Sequence, residues 1–107
     1  MAVSSYLRNY GWASKTSEVT KRITLDENQI LYTNGGGYVD YCIVAMGIER
    51  NKSTGVSEYK VLGTVEVQDS NDHAIYTVPS GYDCMAIVYA TARTGTKGYK
   101  LWIDDGV

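Results

Sequence analysis

The chain has 107 residues, room for one domain with one core, and carries 10 basic against 12 acidic residues for a net charge of −2. With no basic block to neutralise a run of phosphates or an anionic surface, this balance argues against nucleic acid and against a membrane as partners. Ten Tyr and two Trp without a Phe, together with eleven Gly and one Pro, favour strands and half-wet surfaces, where a ring packs while its hydroxyl keeps a polar partner.

Residues 1–19 come first in chain order. They lack the apolar core of a secretory signal, and no segment of the chain approaches the roughly 18 apolar residues of a spanning helix, so the expectation is a soluble product made inside the cell. Tyr6, Leu7, Tyr10 and Trp12 stand here among polar residues. The segment reads as an N-terminal arm whose aromatic side chains anchor it on a neighbouring subunit.

From residue 20 onward the pattern is that of one β domain. Strands are expected near 20–25, 28–33, 38–48, 56–67, 73–78, 82–93 and 98–104. Breaks rich in turn-forming residues separate them, among them Asn34-Gly35-Gly36-Gly37, Asn51-Lys52-Ser53-Thr54-Gly55 and Pro79-Ser80-Gly81. Tyr41-Cys42-Ile43-Val44-Ala45-Met46 and Met85-Ala86-Ile87-Val88-Tyr89-Ala90 are too apolar for exposed strands and read as central ones. Between them, Tyr59, Val61, Gly63, Val65 and Val67 alternate with Glu58, Lys60, Leu62, Thr64 and Glu66, which predicts that the first set shares one covered face. No interval has sustained helical spacing. The expected fold is an all-β, antiparallel sandwich of jelly-roll type with about seven or eight strands.

The chain also echoes itself at a shift of 44 residues. Of the 15 pairs from Leu31/Ile75 to Ala45/Tyr89, six are identical: Tyr32/Tyr76, Thr33/Thr77, Gly37/Gly81, Tyr38/Tyr82, Ile43/Ile87 and Val44/Val88. Tyr59-Lys60-Val61 and Tyr99-Lys100-Leu101 extend the echo at a slightly different shift. The expectation is a duplicated β unit, about 20–63 and about 64–107, with Tyr32, Gly37 and Tyr38 structurally equivalent to Tyr76, Gly81 and Tyr82, and Pro79 marking the second turn. One copy alone leaves an apolar face wet; two cover each other.

Residues that could carry chemistry are sparse. The single His73, beside Asp72 in a polar turn, has no evident nucleophile to serve, so no catalytic residue is assigned. One His and two distant Cys give no zinc spacing, Asp69-x-x-Asp72 offers only two carboxylates toward calcium, and Gly35-Gly36-Gly37 is not followed by the Lys-Ser/Thr of a phosphate loop. No metal or other cofactor is expected. Cys42 and Cys84 lie in apolar runs and read as free thiols filling core volume.

Ile75-Tyr76-Thr77-Val78-Pro79-Ser80-Gly81, followed by Ala86-Ile87-Val88-Tyr89-Ala90 and then Lys100-Leu101-Trp102-Ile103, resembles an element of structural proteins of tailed bacteriophages. There a Tyr-Thr-Val-Pro-x-Gly turn feeds a strand of a small β-sandwich in tail-fibre, tail-accessory or head-decoration proteins. The resemblance implies a non-catalytic virion component, located in the particle, that forms homo-oligomers and contacts other virion proteins. A carbohydrate-binding module or lectin using exposed Tyr and Trp is the alternative, with a glycan as partner; a small enzyme is the third.

Overall fold

The computed structural model describes residues 3–14, 19–34, 41–69, 71–92 and 96–105, with side chains described within 22–34, 41–69, 71–92 and 99–105. Among the described residues eight strands follow in chain order: β1 (Val3–Ser14), β2 (Val19–Leu25), β3 (Ile30–Asn34), β4 (Tyr41–Asn51), β5 (Ser57–Val67), β6 (His73–Thr77), β7 (Tyr82–Ala92) and β8 (Thr96–Asp104). They form two antiparallel four-stranded sheets, ordered β1-β8-β3-β6 and β2-β7-β4-β5. This is the jelly-roll order. It arises when the chain doubles back at the β4–β5 loop, so that β4 meets β5, β3 meets β6, β2 meets β7 and β1 meets β8, and alternate pairs go to opposite sheets.

Period-two alternation places the core between the sheets. From β4, Tyr41, Ile43 and Ala45 point inward, and from β7, Cys84, Ala86, Val88, Ala90 and Ala92. The small alanines face large partners from the other sheet, Leu31, Ile75, Tyr99, Leu101 and Ile103, which lets the two layers interdigitate. Tyr41 and Tyr99 meet at a 5.9 Å ring separation, tilted by 35°. At one end of the sandwich the loops interlock. Lys52 Nζ lies 2.5 Å from Asp26 Oδ1, the Gly81 amide donates to Glu27 Oε2 at 2.7 Å, and across the two loops the Asn28 amide donates to the Val78 carbonyl while the Val78 amide donates to the Gln29 carbonyl. Gly81 has φ of 83° in a turn closed by the Tyr82 amide on the Pro79 carbonyl, a position that an L side chain resists.

Three sequence expectations change on meeting this architecture. First, the segment read as an arm contributes β1, whose backbone pairs with β8 of the same chain from Val3↔Asp104 to Ser14↔Thr96. β8 would otherwise present an open edge beside β3, and β1 covers it. Tyr10 is in register with Lys100 and Trp12 with Gly98, while Tyr6 and Leu7 fall in the irregular stretch between Ser4 and Asn9. The side chains of all four lie outside the described residues.

Second, the internal echo is only partly expressed in three dimensions. The echoing strands are partners, β3 with β6 and β4 with β7. Yet the third strand of each unit goes to a different sheet, β5 beside β4 and β8 beside β3. The identical pairs also part company: Ile43 is buried where Ile87 is half-exposed, and Val88 is buried where Val44 is half-exposed. Tyr32 stacks on Trp102 at 5.6 Å, whereas the Tyr76 hydroxyl reaches Glu49 between the sheets. A bulge in β6 explains the tyrosines. Leu31 pairs with Tyr76 and Tyr32 with Ala74, leaving Ile75 as an extra residue that turns Tyr76 inward. Gly37 and Tyr38 lie outside the described residues.

Third, β5 does not keep one phase. Ala45 pairs with Gly63 but Met46 with Val61, so Leu62 is the extra residue of a second bulge. Val67 is fully buried and Val65 and Gly63 half-buried; beyond Leu62 the pattern inverts, and Val61 and Tyr59 are 57% and 58% exposed. The cause is the closure of the sandwich edge. A Cβ on Gly63 would collide with the Ile75 carbonyl, so β5 and β6 approach backbone to backbone there, and both strands bulge at the point of approach.

Candidate interaction face

The inverted phase of β5 gives the outer face of the β2-β7-β4-β5 sheet its character. Cross-strand register aligns Tyr59, Ile48, Met85 and Thr24 in one row, and Val61, Met46, Ile87 and Arg22 in the next. A third row holds Thr64, Val44 and Tyr89. An antiparallel sheet with one wet face ordinarily puts polar residues there. Here Ile48 (43%), Met85 (48%), Tyr59 and Val61 are exposed on three adjacent strands, with Val44, Met46, Ile87 and Tyr89 half-buried around them. The Tyr59 hydroxyl leans on the Met46 sulfur at 3.8 Å.

At the loop end of this face Arg50 and Asp83, directly opposite in register, form a two-pronged pair: Nε to Oδ1 at 3.1 Å and Nη2 to Oδ2 at 2.5 Å. The guanidinium holds the Asp83 carboxyl below its usual range. With Thr24, Ile48, Ser57 and Met85 the pair borders a depression of about 350 Å³.

On the inner side of the same strands lies a buried polar group. Glu49 shares its parity with Tyr41, Ile43 and Ala45, so its carboxylate faces inward, with a side-chain exposure of 8%. Lys60 Nζ donates to Oε1 at 2.9 Å, and the Tyr76 hydroxyl donates to Oε2. Burial pushes the Glu49 carboxyl up, but the Tyr76 and Lys60 hydrogen bonds outweigh it and the net shift is downward. Tyr76 is driven far upward by burial and by its bond to Glu49, and burial also raises the Cys84 thiol. An ionised, doubly bonded carboxylate beside a firmly protonated phenol and thiol makes a staple of β4, β5 and β6 rather than a poised acid–base pair. A second depression of about 270 Å³, bordered by Glu49, Asn51, Glu58 and Tyr82, opens beside it.

The residues singled out in the sequence are dispersed. His73 Nε2 lies 2.7 Å from Asp69 Oδ1 on the surface, and Asp72 accepts from Asn34 at 2.7 Å. No group of three potential metal ligands occurs among the described residues. Cys42 and Cys84 are not joined in a disulfide. Cys42 is in register with Thr91 and Cys84 with Glu49, seven positions along β4, or about 23 Å, which is far beyond disulfide reach. Pro79 is exposed and Tyr82 half-buried. The face built by Ile48, Tyr59, Val61 and Met85 was missed, since Tyr59 and Val61 were expected to be covered. Glycine in mid-strand at position 63 was the available signal for a bulge. Glu49 was missed as well, and its parity in β4 was the signal that could have found it.

The chain was compared with protein-family models, with curated protein sequences and with solved structures, and none of the three gives a match.

Proposed function

We propose that the protein is a non-catalytic building block of a bacteriophage particle, of the head-decoration or tail-component kind, that works by binding other protein surfaces. The observation that carries this reading is the apolar outer face of β2-β7-β4-β5, since exposed large apolar residues on adjacent strands mark a surface that is covered in use. The jelly-roll order adds support by analogy, because such sandwiches recur in viral coats, and so does the Tyr-Thr-Val-Pro-x-Gly element at 76–81. The test is quantitative mass spectrometry of gradient-purified particles from the phage that encodes the chain. A fixed copy number per particle is expected; a chain found only in the soluble cell fraction overturns the reading.

A lectin is the second reading, favoured by the Arg50/Asp83 depression beside Tyr59, since paired polar groups next to an aromatic face suit a sugar ring. Glycan-array binding lost on Asp83→Ala, with no particle association, is the result that selects it.

A further inference from the structure

We propose that the occupant of the β2-β7-β4-β5 outer face is a second copy of this chain, the two sandwiches packing sheet against sheet. This rests on the building-block reading and names the partner at that surface.

The first support is area. Four strands at about 4.8 Å spacing are roughly 19 Å wide, and the outward positions of β4 from Cys42 to Arg50 run about 26 to 30 Å. The flat footprint is then roughly 500 to 600 Å² per copy, so two facing copies cover about 1,000 to 1,200 Å² before side-chain relief is counted, enough for a specific interface. The footprint is continuous. Its most exposed apolar residues, Tyr59, Val61, Ile48 and Met85, occupy neighbouring register positions rather than scattered ones.

The second support is charge. An isologous contact sets a surface against itself, so a patch with one sign of charge at its centre repels its own copy. Here the three central rows are uncharged from β5 to β7, and Arg50 is neutralised by Asp83 within the same chain. The other described charges on this face stand on its two border strands with opposite sign, Arg22 on β2 and Glu66 on β5. Turning one copy over about an axis along the strands lays the β2 border of each over the β5 border of the other. Like charges are not brought together. An anionic lipid surface, by contrast, calls for a basic border that this face lacks.

Shape is the third support. Two twisted sheets pack face to face at about 10 Å by interdigitating their side chains, the arrangement already made inside each sandwich. Protruding Ile48, Tyr59 and Met85 next to the half-sunk Met46, Val44 and Ile87 provide the relief for it.

Sedimentation velocity on the full chain across a micromolar concentration series tests the inference. The expected result is twice the chain mass for the wild type, and the single-chain mass for Ile48→Lys and for Met85→Lys, with circular dichroism and a cooperative melt confirming that each variant is folded. If a lysine variant fails to fold, cysteine placement decides instead. In a Cys42→Ala background, Met46→Cys is expected to be joined between copies by a bis-maleimide linker of about 10 Å, the spacing of facing sheets, and Ala74→Cys on β6 of the other sheet is not. A wild type of single-chain mass throughout, or a dimer that survives both lysines, or equal cross-linking at both cysteines, overturns the inference. The two readings fail separately: a monomer present in purified particles sinks only the second-copy inference, and a dimer absent from them sinks only the building-block reading.

Discussion

Glu49 is held by two donors from two different strands, and its ionisation is therefore coupled to folding. Its carboxyl titrates below the ordinary glutamate range in the folded state, because the Tyr76 and Lys60 bonds outweigh burial. A depressed folded-state value means stability that is fully present above the unfolded glutamate pKa and lost as pH falls through the lower, folded one. Urea midpoints measured from neutral pH down into the acid range should therefore fall in that window for the wild type. Glu49→Gln should be less stable at neutral pH by about 1 to 3 kcal/mol, since a buried donor loses its charged acceptor, and its deficit should shrink in acid. Parallel pH curves would sink this assignment. Gly63 offers a second residue-scale check. Gly63→Ala puts a methyl against the Ile75 carbonyl, where backbone rather than a flexible side chain must give, and should cost about 1 to 3 kcal/mol in the same denaturation assay.

At the scale of elements, the bulges decide which side chains are wet. Strict alternation treats Val61 and Val67 alike, but Val67 is fully buried and Val61 is 57% exposed. Val67→Thr should cost about 1 to 3 kcal/mol by burying a hydroxyl, while Val61→Thr should stay within about 0.5 kcal/mol. Equal losses at both positions would mean that β5 keeps one phase. The strands themselves were legible: seven of them were expected within a few residues of where they lie, because period-two patterning and Gly, Pro and Asn turns are local signals. What escaped was set by long-range contact. β1 is fixed by pairing with β8 at the far end of the chain, and the bulge at Leu62 by the approach of β6, neither of which leaves a periodic trace. The echo between 31–45 and 75–89 has the same lesson, since one inserted residue at Ile75 separates the environments of two identical tyrosines. Removing residues 1–14 uncovers the β8 edge. Thermal melts of that truncation should show a lower midpoint and, at high concentration, aggregation; an unchanged melt would return the segment to the role of an arm.

The fold is a doubled-back hairpin whose first and last strands meet, so most of the contacts that hold it are distant in sequence. Such a topology orders the chain before its outer faces exist, and refolding on the millisecond-to-second scale of non-local β proteins is expected in stopped-flow fluorescence. Once formed, the sandwich holds its described core between the sheets, with the apolar face on the outside of one sheet. The account stands on that face being covered by protein in the working state. Hydroxyl-radical footprinting of Tyr59 and Met85, comparing the assembled protein with the dilute single chain, measures this directly. Both residues should be strongly protected from oxidation on assembly; oxidation at the same rate in both states would contradict the account.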